Sequence, residues 1–469
     1  MHIRKFNKWF LEMHKALGVE WRLTRYGLNR FGYSARNYSK KSVRSSSGVN
    51  DDSRNKMSKT WLKALGIVLV PYTCYALYIA LQTDMQIRAR RRKVEDENSA
   101  DYNSTLKKYS HLKILGVYEN PFNEYRMQTI YEFFFNRVVE LFQINRGGIP
   151  REEKAMELLM PVHKPTWTDN AAQLVEDQQF TYSLLDPHSV AQKSNCKNTH
   201  AVHSTWLGQS CSYVVYRGVK ILTDPLVSSY LIHETLGPKR ITKVPVPVED
   251  IPTPDVIIVS HNHPDHLDHN SMKYWDDSSP NQPLWVVPKG LGGFLEDNNI
   301  TRYIELSWWE ACKLNFKYES DKNLEIVCTP AMHWSGRGIW DTNRSLWASF
   351  LVRDKGMPVI FHAGDTGYVS DLFVRIKQRF GAGVKLALLP CGQYCPEWHQ
   401  RPRHINPEEA LKVMKDLEAQ NVLGVHWGTF ILSGEYFREP KEKLELLAEV
   451  KGIKDRCYCP ELGKTVTII

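Results

Sequence analysis

Six consecutive residues, His261-Asn262-His263-Pro264-Asp265-His266, gather three imidazoles and a carboxylate in one short stretch of chain. Both side-chain types are borderline-to-hard donors suited to zinc, iron or manganese. In the spacing His-x-His-x-Asp-His, a loop can turn His261 and His263 toward one ion. Its next turn then presents Asp265 and His266 to a second. A lone pair of histidines is usually packed or on the surface, but three histidines and an aspartate this close resist explanation as packing. Two adjacent ions activate water, so the chemistry indicated is hydrolysis.

Such a loop needs a rigid base. Asp255-Val256-Ile257-Ile258-Val259-Ser260 is an unbroken apolar run of the kind found in strands covered on both faces, and it leads directly into His261. The same order of strand followed by ligand recurs downstream. The run Glu325–Met332 ends at His333, Val359–Gly364 ends at Asp365, and Asn421–Val425 ends at His426. With the hexapeptide these complete a set of seven candidate ligands: His261, His263, Asp265, His266, His333, Asp365 and His426. Further on, Asn406 can cap a helix, with Pro407 at its first position and Glu409 closing a capping box. His404 stands just ahead of that helix start, and Trp334 follows His333, where it either lines a groove or packs. Strands alternating with helical patterns from about residue 200 indicate an α/β fold.

His-x-His-x-Asp-His, a single His, Gly-Asp-Thr and a late His together resemble the metallo-β-lactamase superfamily. The segments Thr205-Trp206-Leu207-Gly208, Leu222-Thr223-Asp224-Pro225 and His362–Tyr368 are similar to the N-acylphosphatidylethanolamine-hydrolysing phospholipase D family, as are Leu389–Tyr394, Asn406–Ala410 and His426–Phe430. The similarity covers roughly residues 160–445. It implies a four-layer αβ/βα sandwich with two zinc ions at the mouth between the sheets. His261, His263 and His333 would hold one ion, Asp265, His266 and His426 the other, with Asp365 bridging. Asp365 and Asp265 are the implied catalytic carboxylates, and His404, Pro264 and Trp334 the implied substrate contacts. The implied reaction releases an N-acylethanolamine and leaves phosphatidic acid. Three residues depart from the family pattern. Gln209 replaces the usual His after Trp-Leu-Gly, at a position that is not a metal ligand, and Pro264 and His269 replace aromatics near the substrate.

The N-terminal part reads as address and anchor. Residues 1–50 contain 11 Lys/Arg and only two acids, which matches a mitochondrial presequence and accounts for the whole formal charge of +9. The remaining residues are balanced in charge, so a nucleic-acid partner is not expected. Ala64–Leu81 is uncharged over 18 residues and basic on both flanks, within an expected transmembrane helix over 61–83. A linker and an amphipathic helix are expected over 94–160, with Met127, Ile130, Phe134, Val138 and Leu141 at helical spacing. The catalytic domain then occupies 161–469. These features predict a single-pass protein of the mitochondrial inner membrane acting on membrane phospholipid. The flanking charges leave its orientation open. We take the intermembrane-space side as the working expectation, and a homodimer as a further one. Nine scattered cysteines without Cys-x-x-Cys spacing read as reduced core thiols. Two other readings stay open: hydrolysis of a thioester, lactone or RNA on the same fold, and a non-catalytic membrane scaffold.

Overall fold

The computed structural model describes residues 51–469 apart from 96–101, 144, 169–178, 186–199, 236, 280, 319–321 and 339–340. The expected presequence therefore lies outside the described residues. Contacts divide the chain between Ile67 and Val68. In the first unit the described residues are the opening turns of a helix, and the packing described below concerns Val68–Ile469.

Helix α1 runs through Asp51–Glu95, longer than the span expected at 61–83. Its segment Leu65–Arg92 is long and apolar enough to cross a membrane. Only a narrow stripe of that segment is covered: Ala76, Ile79 and Ile87 are buried, whereas Leu77, Tyr78 and Leu81 are exposed. Ile79 packs on Leu112 and Ile114 of a hairpin formed by β1 (Leu112–Ile114) and β2 (Val117–Glu119). Between them, where a linker is expected, Tyr102–Tyr109 forms helix α2. The reason is tertiary, because Lys108 and Tyr109 both bond the carboxylate of Asp371 far along the chain. Helix α3 occupies Ile130–Leu141, capped by the Thr129 hydroxyl.

The body is built on two sheets. One orders its strands β17-β4-β5-β6-β7-β8-β9. Its antiparallel half comprises β4 (Val202–Gly208), β5 (Cys211–Tyr216), β6 (Val219–Thr223) and β17 (Thr465–Ile468). From β6 onward it is parallel through β7 (Val256–Ile258), β8 (Leu284–Pro288) and β9 (Tyr303–Leu306). The other sheet runs β16-β15-β14-β13-β12-β11-β10-β3. Here β3 (Phe180–Leu185), β10 (Ala311–Phe316), β11 (Asn323–Thr329), β12 (Ser349–Asp354) and β13 (Met357–His362) are antiparallel. Strands β14 (Leu386–Pro390), β15 (Asn421–Val425) and β16 (Cys457–Tyr458) continue in parallel.

Alternate side chains of β7 enter different cores, as a strand buried on both faces requires. Val256 and Ile258 join the core shared with Ile326, Phe350 and Leu388 of the other sheet. Ile257 joins Met272 and Leu295, which come from α4 (His269–Tyr274) and α5 (Gly292–Glu296). Helices α6 (Leu372–Phe380), α8 (Pro407–Leu417) and α9 (Glu439–Val450) pack with the second sheet, and the short α7 (Glu397–Gln400) precedes α8 in the chain. Apolar residues of α6, α8 and α9, among them Phe373, Val413 and Leu444, seal the large core. This is the αβ/βα layering of the metallo-β-lactamase fold. Six of the described cysteines, Cys211, Cys312, Cys328, Cys391, Cys457 and Cys459, are buried as free thiols.

Candidate metal centre

The hexapeptide leaves the carboxyl end of β7 just after Ser260. Asp224, immediately past β6, locks this exit: its carboxylate accepts the Ser260 backbone N–H at 2.6 Å and the Ser260 hydroxyl at 2.8 Å. The other sheet delivers His333 after β11, Asp365 after β13 and His426 after β15. All seven expected ligands are buried within this space, His261 and His266 completely.

Their donor atoms fall into two groups. In the first, Nδ1 of His263 lies 2.7 Å from Nε2 of His261 and 3.3 Å from Nε2 of His333. In the second, Nε2 of His266 and Nε2 of His426 are 3.1 Å apart. Asp265 Oδ2 lies 3.6 Å and 3.5 Å from those two nitrogens. Asp365 stands between the groups, with Oδ2 3.0 Å from His266, 3.7 Å from His333 and 4.0 Å from His261. Its Oδ1 reaches His426 at 3.1 Å.

Burial and the neighbouring imidazoles push the pKa values of His261 and His333 well below the ordinary range, and that of His263 to about 3. Three neutral rings therefore converge ring nitrogens on one space, which is what a cation would accept and a proton cannot fully satisfy. The second group carries two carboxylates. Burial alone would raise the pKa of Asp365, but His266, His426 and His404 outweigh it and hold the group ionised. These seven residues could hold two metal ions, and their donor types and convergence fit that role.

Surrounding residues orient the rings. His266 presents Nε2 inward because its Nδ1 is 2.8 Å from Asp224. Burial works to raise the pKa of Asp224, yet His362 and His266 hold it down at about 2. Nδ1 of His333 faces the carbonyl of Arg403 at 3.0 Å, and the side-chain amide of Asn120 donates to the His333 carbonyl. Metal-bound histidines are oriented by partners of this kind.

The expected substrate contacts gather at the same place. His404 is buried, with Nδ1 3.7 Å from Asp365 Oδ2 and its ring 5.1 Å from that of His333. His404, His333 and Asp365 also satisfy the geometry of a metal-binding triplet. Asn406 caps α8 with the full capping box to Glu409, fixing the chain just after His404. Trp334, half-buried, meets the His263 ring edge-on at 4.2 Å, and Pro264 is half-buried beside it in sequence.

Two participants carry no assigned role in the sequence reading. One is Asp224, which follows the strand-then-polar order of the ligands and could have been found by it. The other is Gln209, whose side-chain nitrogen lies 3.0 Å from Asp265 Oδ2 and 3.0 Å from His426 Nε2. Its backbone is in the left-handed region, φ 49°, in the turn between β4 and β5.

Residues 219–427 match the Beta-lactamase superfamily domain. The chain is 58% identical over 421 residues to a protein of Saccharomyces cerevisiae named N-acyl-phosphatidylethanolamine-hydrolyzing phospholipase D, mitochondrial, covering 87% of this chain and 89% of that one. It is 33% identical over 322 residues to N-acyl-phosphatidylethanolamine-hydrolyzing phospholipase D 1 of Caenorhabditis elegans, covering 67% of this chain and 87% of the relative. With the buried ligand cluster, these likenesses identify a metal-dependent hydrolase, a phospholipase on the metallo-β-lactamase fold, and the chain belongs to the N-acyl-phosphatidylethanolamine-hydrolysing phospholipase D family.

Proposed function

We propose that the protein is a zinc-dependent phosphodiesterase of a mitochondrial inner membrane. It converts N-acyl phosphatidylethanolamine to an N-acylethanolamine and phosphatidic acid. The observation carrying this reading is the pair of buried ligand groups joined through Asp365, in a chain 58% identical to a relative bearing that activity in its name. The mitochondrial name of the relative and the apolar segment Leu65–Arg92 support a membrane address with a single pass.

On this reading His261, His263 and His333 hold one zinc and Asp265, His266 and His426 the other, with Asp365 between them. When bound, the two ions make water nucleophilic near neutral pH and offset the phosphoryl charge. The chain's own residues supply orientation. Asp224 fixes the tautomer of His266, and the Arg403 carbonyl fixes that of His333. His404, held by the capped start of α8, reaches toward the headgroup, and Trp334 with Pro264 shapes the approach of the acyl chain. Hydrolysis joins the oxygen of water to phosphorus and breaks the bond to the ethanolamide oxygen, which leaves with a proton.

The test is headgroup release by purified full-length protein over a phospholipid panel, with and without chelator. We expect N-acylethanolamine release that a chelator abolishes and zinc restores. Cleavage of a different phospholipid, a thioester or RNA, with N-acyl phosphatidylethanolamine untouched, overturns the substrate assignment. Metal analysis finding another ion in the active protein overturns zinc.

A further inference from the structure

We infer that residues 120–132 are part of the metal centre: they position His333 as a ligand, although they lie ahead of residues 219–427, which match the superfamily domain. The inference rests on the reading that His261, His263 and His333 hold a metal ion. A histidine that binds a metal through one ring nitrogen is oriented by what its other nitrogen meets. His261 and His266 take those partners from within the matched domain, the Ser260 hydroxyl at 2.9 Å and Asp224 at 2.8 Å. His333 does not depend on that domain alone.

Its carbonyl accepts the Asn120 side-chain amide at 2.7 Å, and Asn120 is fully buried. Asn120 directly follows β2 and is fixed on both sides. Tyr118 and Phe122 are buried in the large core, and the Tyr118 N–H donates to the Asn343 carbonyl. At the ring, Nδ1 of His333 faces the Arg403 carbonyl at 3.0 Å, which leaves Nε2 for the ion. The Arg403 side chain is buried, and it bonds the Gln128 side-chain oxygen at 2.6 Å and the His399 carbonyl. A buried guanidinium stays where its acceptors are, because losing them leaves its charge uncompensated.

Each bond in this series has a set direction. The Glu132 carboxylate, bonded by Arg126 at 2.8 Å, can only accept, so His399, 2.7 Å away, offers it Nδ1–H. A neutral ring then accepts at Nε2, where the Gln128 amide nitrogen lies at 2.8 Å. With its N–H committed to His399, Gln128 presents its oxygen to Arg403. Arg403 in turn holds its carbonyl against His333, and the next residue is His404, whose Nδ1 is 3.7 Å from Asp365. One amide ahead of the matched domain therefore sets a ligand of the first group and the chain that carries His404.

The test titrates metal-free, full-length protein with zinc against a chromogenic chelator and needs no substrate. We expect two binding steps in the parent, one of which His333→Ala abolishes. Gln128→Leu keeps the bulk and removes the acceptor. It should weaken that step by about 3–5-fold, less than the roughly 10–100-fold typical of losing a direct partner of a metal-bound ring, and leave the other step unchanged. Gln128→Glu keeps an acceptor for Arg403 and should bind zinc like the parent. Glu132→Ala frees His399 from the far end and should weaken the same step, which keeps the test decisive if Gln128→Leu does not fold. Parent-like binding by Gln128→Leu and Glu132→Ala overturns the inference and leaves the metal reading intact. So does equal weakening of both steps with a lowered melting temperature, the mark of a merely structural role. A parent that binds no zinc removes the zinc of the proposed function, and the inference with it.

Discussion

Asp224 Oδ2 stands 2.8 Å from Nδ1 of His266, the ring whose other nitrogen faces Asp365 at 3.0 Å. The same oxygen lies 2.8 Å from Nε2 of His362, so one fully buried carboxylate ties the ends of β6, β7 and β13 together. Replacing it with an amide keeps the shape and removes the charge that fixes the tautomer. We expect Asp224→Asn to lower metal affinity or activity by about 10–100-fold, the usual effect of losing such a partner. Metal titration of the folded variant checks this, with near-normal affinity as the contrary result.

Asp365→Asn strikes both ligand groups at once. The expected loss of hydrolysis is roughly a hundredfold or more, beyond that of an orienting residue. Metal content per chain should fall in the same preparation. Full hydrolysis by this variant would overturn the role given to Asp365, whereas cellular function kept after hydrolysis is lost would favour the scaffold reading.

Gln209→Ala removes an amide that bonds Asp265 and neighbours His426. A hydrogen bond is worth about 0.5–1.5 kcal/mol net, so metal retention should weaken by about 2–10-fold. Competition with a chromogenic chelator measures it. A variant that holds both ions as tightly as the parent shows Gln209 to be filler.

Glu119 is buried, and burial raises its pKa from an ordinary 4.5 to about 7. Between those values the folded state binds more protons than the unfolded one, so its contribution to stability falls as pH rises and levels off above about 7. In Glu119→Gln this slope disappears. Relative to the parent, the variant should gain about 1–3 kcal/mol between pH 4.5 and 8, read from denaturant midpoints at each pH. A constant difference across that range contradicts the assignment.

Asn406→Ala removes the cap of α8 and should cost about 1 kcal/mol of stability. Because His404 lies just ahead of that cap, turnover should fall more than the stability change explains. Unchanged kcat at a temperature where the variant is fully folded separates His404 from the cap.

Much of the site was legible because it follows a local rule: an apolar strand, then a ligand. That rule found His261, His263, Asp265, His266, His333, Asp365 and His426, and the capping residues near His404 were equally local. What escaped depends on distant partners. Gln209 meets His426 across 217 residues, and the pairing of Glu132 with His399 spans 267. Helix α2 escaped for the same reason, since the Asp371 carboxylate that holds it is 263 residues from Lys108. Propensity and periodicity carry no information about such meetings, whereas the motif segments of the family carry it indirectly.

The two sheets contribute unequally to the ligand set, four residues after one strand of the first and three after separate strands of the second. His266 and His426, which must meet to complete one group, are 160 residues apart. A chain still being synthesised, or threaded unfolded through a pore, thus carries the first histidines long before it can act. On the proposed function, a fragment ending short of His426 has the hexapeptide but lacks a donor of the second group.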